Sequence, residues 1–322
     1  MDRLRPADRP SSLGHQTRTL LRQYHVQPKR GLGQSFLIAP TVRDLILQAA
    51  QLSPDDLVVE IGPGTGVLTE GLADQAGTVV AIERDPGLYR LLVGQLGDRP
   101  RLSLVCADAL VFDYVGLLAE KLLPHGRAKL VSNLPYSVAT PLILRLLPLQ
   151  RFFSFLLVMV QREVAQRLLA APGQEGYSAL TLRCSYEAEA SAVGKVSRTA
   201  FHPKPDVDST LVRLNLLSRP RVPVKRPELL FRIVRAAFGQ RRKTLRNALL
   251  GAGMMADSTA LERALFDVDI DPKRRGETLT IDEFARLADH LHAMGMLLPD
   301  PPHPPLSPTG GEDQGEGADD DR

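Results

Sequence analysis

Cysteine is nearly missing from this chain: two residues, Cys106 and Cys184, among 322. Two thiols set in apolar, strand-like runs make neither a disulfide framework nor a zinc site, and each is read as a small buried hydrophobe. Long apolar runs are also missing. The longest, residues 152–160, is interrupted by Ser154, whereas a helix that spans a bilayer needs roughly 20 apolar residues. The first residues are rich in Arg, Asp and Pro and have no apolar signal core, so a cytoplasmic protein without a membrane partner is expected. No metal is expected either, and no internal repeat is present.

What the chain does have is charge, unevenly spread. The formal net charge is +3, yet residues 299–322 hold seven acids against Arg322 alone, which leaves about +9 on the remainder. A basic body with an acidic tail suits a polyanionic partner such as RNA, and a solvated basic surface is the plainer explanation. The tail, with its Pro-Pro-His-Pro-Pro and Gly/Asp/Glu runs, has too little apolar surface to order itself.

Strand-like runs fall at 57–61, 79–83, 102–106, 129–132, 155–160, 180–186 and 211–216, with helical patterns at 67–76, 87–97 and 140–147 between the earlier ones. That alternation predicts an α/β fold built on a parallel, doubly wound sheet. The last two runs lack a helix between them, so an antiparallel hairpin is expected at the sheet edge. From about residue 222 only helical patterns remain, at 228–250, 258–266 and 281–292. The expected organisation is an extension over 1–27, partly disordered with a short helix around 19–24, then a sheet domain over 28–217. A helical domain over 218–298 follows, entered through a Pro- and Arg-rich linker at 218–227, and a disordered tail over 299–322 ends the chain.

Chemistry concentrates at the ends of the strands. Glu60-Ile61-Gly62-Pro63-Gly64-Thr65-Gly66 follows the first strand and opens a helix, so the backbone can approach a nucleotide closely. A dinucleotide fingerprint wants a third glycine where Val67 stands, and the G-x-G-x-G spacing after acidic Glu60 favours S-adenosyl-L-methionine. Glu83 ends the second strand, where its carboxylate can accept ribose hydroxyls. Asp108 lies just past the third, placed to accept from the cofactor's adenine amine. Each of these acids serves equally as a helix cap or surface group when taken alone. The fourth strand leads into Asn133-Leu134-Pro135-Tyr136, where ligands sit in open α/β sheets. The exocyclic amine of adenine is a poor nucleophile because its lone pair is delocalised into the ring. It needs hydrogen-bond acceptors to draw its hydrogens out of plane, not a strong base. Asn133 and the Leu134 carbonyl are two such acceptors on a turn stiffened by Pro135, and Tyr136 offers a face for stacking. The combination points to methylation of an amino group on a nucleobase.

Six segments in order then resemble the ribosomal RNA adenine N6-dimethyltransferase family, on its small-subunit branch, from about residue 28 to 292. They are Lys29-Arg30-Gly31-Leu32-Gly33-Gln34-Ser35-Phe36-Leu37, the Val59–Gly66 glycine turn, Asn133-Leu134-Pro135-Tyr136, Gln161-Arg162-Glu163-Val164-Ala165, Phe201-His202-Pro203-Lys204-Pro205-Asp206-Val207-Asp208-Ser209, and Phe238-Gly239-Gln240-Arg241-Arg242-Lys243-Thr244-Leu245-Arg246-Asn247. The resemblance implies a Rossmann-like, mostly parallel seven-stranded methyltransferase sheet with a small C-terminal all-helical domain. It implies that Ser35, Leu37, Gly62, Gly64, Glu83, Asp108 and Asn133 bind S-adenosyl-L-methionine. Asn133 and Leu134 would hold the target amine while Tyr136 and Phe201 sandwich the adenine. The family has Asn or His where this chain has Ser35. On its residues alone Phe201 serves equally as a core aromatic, and His202 is taken as structural. Residues 232–247 hold six cations and no acid, and Arg235, Arg241, Arg242, Lys243 and Arg246 are assigned to phosphate contacts.

The implied partner is 16S rRNA in the small ribosomal subunit or its precursor, acted on by a monomer. The expected reaction is N6,N6-dimethylation of two adjacent adenosines near the 3′ end of that RNA, with a role in subunit biogenesis. Two alternatives stay open: a 23S rRNA dimethyltransferase, and an assembly checkpoint factor in which methylation is secondary. A DNA adenine methyltransferase is disfavoured, because its tetrapeptide has a second Pro where Leu134 stands.

Overall fold

In this sheet, alternation of apolar residues decides which side chains face which layer. The computed structural model describes residues 12–29, 31, 33–122 and 126–295. The chain runs α1 (Leu13–Gln23), β1 (Phe36–Leu37), α2 (Pro40–Ala50), β2 (Leu57–Ile61), α3 (Val67–Gln75), β3 (Thr78–Glu83), α4 (Pro86–Leu96), β4 (Leu102–Cys106), α5 (Tyr114–Lys121) and β5 (Ala128–Asn133). It continues through α6 (Ala139–Leu146), β6 (Phe153–Gln161), α7 (Arg162–Leu169), α8 (Ala179–Glu187), β7 (Ala188–Val196), β8 (Phe201–His202) and β9 (Ser209–Leu216). The helices α9 (Pro227–Gly239), α10 (Leu245–Gly251), α11 (Ser258–Phe266) and α12 (Ile281–Ala293) follow.

Seven strands form one sheet in the order β4-β3-β2-β5-β6-β9-β7. The first five run parallel, β9 is antiparallel to β6, and β7 is antiparallel to β9. In β6, Leu156, Val158 and Val160 join a core with Leu142 of α6 and Leu118 of α5. Phe155, Leu157 and Met159 of the same strand face Ile46 of α2 and Leu72 of α3 on the opposite side. A strand buried on both faces reads as a continuous apolar run, as 155–160 does. The strand order reverses between β2 and β5, so the connections leaving their carboxyl ends diverge and open a crevice there. A separate two-stranded ribbon pairs β1 with β8.

The C-terminal helices share a core of their own, centred on Ile233, Leu249, Leu261, Phe284 and Leu287. This core also takes in Leu182 and Tyr186 of α8, which gives that segment two buried faces. Residues 180–186 were expected as a strand because apolar side chains recur at every second position. They form a helix instead. Leu180 and Cys184 face the sheet core while Leu182 and Tyr186 face the helical core. Positions four apart share a helix face and positions two apart lie on opposite sides, so a helix buried on two faces imitates strand alternation. Its start is marked by the Thr181 hydroxyl, which accepts the Ser178 N–H at 3.0 Å.

The antiparallel edge is therefore made by β7, whose Ala-Glu-Ala-Ser-Ala-Val-Gly-Lys-Val sequence has few residues of high strand propensity. The helix expected over 228–250 is two helices, broken after Gly239, with Thr244 capping α10 by accepting from Asn247 N. Cys184 is buried as expected, but Cys106 is exposed. In place of a short helix at 19–24, α1 spans eleven residues from its Ser12 cap, and its Leu21 is buried against Phe36 and Leu88. Helices α2, α5 and α7 were not expected. The tail over 299–322 and the first eleven residues of the extension lie outside the described residues.

Docking of α1 through Leu21 matters because Phe36 lies against the glycine turn. Leu21→Ala should destabilise the protein by about 2–3 kcal/mol, read as a lower urea midpoint at unchanged m-value. A midpoint equal to that of the unsubstituted protein would show that α1 contributes no packing.

Candidate active site

One cleft at the carboxyl ends of β2, β3, β4 and β5 brings together Ser35, Leu37, Gly62, Gly64, Glu83, Asp108, Asn133, Leu134 and Tyr136. The sequence had drawn these residues from five separate segments. Gly62, Gly64 and Gly66 have φ of +66°, +61° and +82°, a region that L side chains rarely enter. A side chain would also be crowded there. A Cβ on Gly62 would lie 3.0 Å from Pro135 Cγ, and one on Gly64 would lie 2.8 Å from Phe36 Cδ1.

Acids line the cleft. Glu83 Oε2 accepts the Gly64 N–H at 3.2 Å and its Oε1 accepts the Asp85 N–H at 2.8 Å, so the second strand's carboxylate fixes the glycine turn. Burial raises the Glu83 carboxyl, and these N–H groups oppose the shift without cancelling it. Glu60 is only 2% exposed, and its Oε2 is buried with no hydrogen-bond partner. Burial, opposed by the nearby Thr69 hydroxyl and helped by the Glu83 charge, pushes its carboxyl from the ordinary 4.5 up to about 8. Asp108 Oδ1 accepts the Leu110 N–H at 2.9 Å, and Oδ2 pairs with Arg84 at 3.3 Å.

Asn133 stands where β5 ends. Its Nδ2 donates to the Ser35 carbonyl at 3.3 Å, while Oδ1 is buried without a partner. An unpaired buried amide oxygen carries a desolvation cost of roughly 1–3 kcal/mol, which a donor entering the cleft relieves. Leu134 is buried and its N–H donates to the Met159 carbonyl at 3.2 Å. Tyr136 shares a hydrogen bond with Ser209 at 2.6 Å. Burial raises its phenol although the Ser209 bond opposes, so the ring stays neutral.

Two unpaired buried acceptors, Glu60 Oε2 and Asn133 Oδ1, together with a close-packed glycine cradle, form a site suited to a ligand bearing positive charge and N–H donors. That description fits S-adenosylmethionine, with its ammonium and sulfonium, and the amine it methylates. Among the described residues, no group of three or more His, Cys, Asp or Glu side chains is placed to hold a metal ion. No described helix is long and apolar enough to cross a membrane.

Phe201 is placed differently from the other site residues. It does not line the cleft. It is buried in the core beside Leu37, its partner across the β1–β8 ribbon. Its ring meets Tyr136 with centroids 6.5 Å apart and planes at 71°, an edge contact instead of the second wall of a parallel sandwich. The Ser35 hydroxyl donates to the Pro203 carbonyl, so its proton is committed to the residue after β8. Of the five cations assigned to RNA, Arg235, Arg242 and Lys243 are exposed without side-chain partners among the described residues. Arg241 donates to the Tyr177 carbonyl at 2.7 Å, and Arg246 pairs with Glu262 at 3.3 Å and with Ser258.

Several site residues escaped the sequence reading. Lys29 Nζ pairs at 2.6 Å with Asp85 Oδ2, and Gln34 Oε1 accepts the Lys29 N–H at 2.7 Å. This clamp closes the segment carrying Ser35 over the cleft. Burial pushes the Asp85 carboxyl up, but Lys29 and the Gly87 and Leu88 N–H groups outweigh it and hold the carboxyl below the usual range. The one local signal for Asp85 is the Asp-Pro pair of a helix start, since Asp85 caps α4. Lys273 and Arg275 are exposed on a loop bound to the start of α10 through Leu245 N to Arg274 O and Arg246 N to Pro272 O. They extend the basic surface around Arg242 and Lys243, a juxtaposition that sequence separation conceals.

Comparisons with known proteins identify the family. The family model for ribosomal RNA adenine dimethylase matches residues 26–292. A protein named ribosomal RNA small subunit methyltransferase A from Pelotomaculum thermopropionicum is 46% identical over 278 residues, covering 84% of this chain and 94% of that protein. Its namesake from Clostridium botulinum (strain Loch Maree) is 41% identical over 276 residues, covering 86% and 98%. Among solved structures, a dimethyladenosine transferase from Plasmodium falciparum superposes with a TM-score of 0.67 at 24% identity, over 81% of this chain and 98% of that one. The 23S rRNA methyltransferase ErmE gives 0.60 at 27% identity, over 80% and 99%. Since the family model spans the glycine turn, the Asn133 turn and the C-terminal helices alike, and relatives at 41–46% identity cover most of the chain, the chain belongs to the ribosomal RNA adenine dimethylase family.

Proposed function

We propose that the protein dimethylates the N6 amines of two adjacent adenosines near the 3′ end of 16S rRNA, in the small ribosomal subunit or its precursor. The observation that carries this reading is the buried, unpartnered Oδ1 of Asn133 beside the glycine cradle. S-adenosylmethionine, the methyl donor of the family, supplies an electrophilic methyl on a sulfonium that the adenine amine attacks, leaving a neutral thioether. The glycine turn, Glu60, Glu83 and Asp108 hold that donor, and Leu37 walls the pocket. Asn133 Oδ1 accepts one amine hydrogen and the Leu134 carbonyl the other, which draws the nitrogen lone pair out of conjugation. Tyr136 stacks on the base, and Phe201 supports the Tyr136 ring from its edge. No group in the cleft is needed as a strong base, because the proton leaves to solvent after the methyl has moved. The target adenosine leaves its stack to reach Asn133.

In this reading residues 28–217 form the catalytic domain, and 218–298 form the RNA-binding domain. Arg235, Arg242, Lys243 and Lys273 contact phosphates, while Arg241 and Arg246 chiefly brace the loops that carry them. The enzyme works as a monomer in the cytoplasm, where subunits mature.

Labelled methyl transfer to small subunits from cells lacking the modification tests the reading. The expected product is N6,N6-dimethyladenosine in the terminal helix of 16S rRNA. Label confined to 23S rRNA would assign the large-subunit activity instead, and tight subunit binding without transfer would favour an assembly factor. Asn133→Ala should lower transfer by about 10²- to 10³-fold while subunit affinity stays unchanged.

For the basic surface, the double substitution Arg242→Ala and Lys243→Ala should reduce the slope of log K against log salt by about 1.5. An unaltered slope would remove both residues from the RNA contact.

Glu60 allows a test on the protein alone. Its folded value lies above its unfolded one, so the stability it contributes is complete below about 4.5 and is lost as pH rises to about 8, at up to about 1.4 kcal/mol per unit. Glu60→Gln removes this titration. The stability of the variant relative to the unsubstituted protein should climb between pH 5 and 8 and level off above, and a constant difference would contradict the buried, unpaired carboxyl.

A further inference from the structure

Ser35 stands one residue before β1 and touches both halves of the site. Its carbonyl accepts Asn133 Nδ2 at 3.3 Å. Its hydroxyl donates to the carbonyl of Pro203, one position beyond the Phe36–His202 pair of the β1–β8 ribbon. An amide side chain has one donating end and one accepting end. With Nδ2 engaged by a carbonyl, Oδ1 must face the other way, and there it is buried without a partner. Turning the amide over would set two oxygens against each other and present an NH2 group to the target amine, donor against donor. The Ser35 carbonyl thus determines which end of Asn133 the substrate meets.

That carbonyl needs a fixed place. On one side its segment is held by Gln34, which accepts the Lys29 N–H at 2.7 Å, with Lys29 paired to Asp85. On the other side the Ser35 hydroxyl is the side-chain tie, and it runs to the residue after β8, two positions from Phe201 and its edge contact with Tyr136. We propose that Ser35 is a positioning residue for methyl transfer. Its carbonyl orients the Asn133 amide, and its hydroxyl, anchored on Pro203, keeps that carbonyl in register with the strand beneath the base-stacking ring. This assignment rests on the methyl-transfer reading above and moves the Ser35 side chain from cofactor binding to alignment of the acceptor.

Ser35→Ala and Ser35→Thr, made in the full chain, separate the two roles. Ser35→Ala should lower kcat about tenfold and leave the Kd for S-adenosylmethionine, measured by calorimetry, within about twofold. Ser35→Thr keeps a hydroxyl and should restore kcat. The side-chain amide resonance of Asn133, assigned by its loss in Asn133→Asp, should move in Ser35→Ala and stay in place in Ser35→Thr. This last signal needs no RNA, so it reports on the positioning role even if 16S rRNA proves to be the wrong substrate. Should the alanine variant fail to fold, Ser35→Cys, close in size and a weaker donor, takes its place. A tenfold weaker Kd at unchanged kcat would make the side chain a cofactor ligand and overturn the proposal. So would kcat and amide resonance both unmoved in Ser35→Ala, or both unrestored in Ser35→Thr.

Discussion

The parallel pairing of β2 with β5, which sets Val58 opposite Lys129 and Val59 opposite Leu130, is the constraint on which the whole site depends. Neighbouring strands lie about 4.8 Å apart, so whatever leaves their carboxyl ends starts side by side. Here one strand releases the glycine turn and the other releases Asn133. The two connections diverge because the strand order reverses at this pair, and the crevice between them receives the ligand. Short-range bonds hold the edges of the crevice together. The Ser132 hydroxyl donates to the Ile61 carbonyl across the pair, Pro135 packs on Gly62, and Glu83 reaches from β3 to the Gly64 N–H.

This arrangement pays in desolvation for what it gains in aim. Glu60 and Asn133 each present a buried oxygen that the protein leaves unpaired, and burial, with the Glu83 charge adding to it, raises the Glu60 carboxyl well above the usual range. Such groups destabilise the empty fold and favour a cationic ligand and an amine donor in proportion. Stability is recovered nearby. The Lys29–Asp85 pair ties the segment over the cleft to the cap of α4, and the Asp85 carboxylate is satisfied by backbone N–H groups as well. Removing Lys29 would leave a nearly buried carboxylate short of its partner.

Much of this was legible in the sequence because it is local. Strands β2 and β4 begin and end where their apolar runs do, and the glycine turn and Asn133 announce themselves by residue type and by position after a strand. What escaped was set by packing between distant segments. Helix α8 imitated a strand because it is buried against two cores at once. Strand β7 passed unread because an edge strand facing solvent needs few apolar residues. The edge contact of Phe201 with Tyr136, the turning of the Ser35 hydroxyl toward Pro203 and the Lys29–Asp85 clamp each join residues far apart in the chain. No periodicity encodes such partners. The basic surface was half visible for the same reason: Arg242 and Lys243 sit in one run, while Lys273 joins them only through the backbone bonds around α10.

The central claim is that Asn133 Oδ1 accepts the target amine. A crystal structure of the protein with S-adenosylhomocysteine and adenosine bound tests it most directly. The account requires the adenine N6 within about 2.7–3.2 Å of Oδ1, with Nδ2 still on the Ser35 carbonyl and the base against Tyr136. An adenine whose N6 lies beyond hydrogen-bond reach of Asn133, or an amide turned so that Nδ2 faces the base, would contradict it.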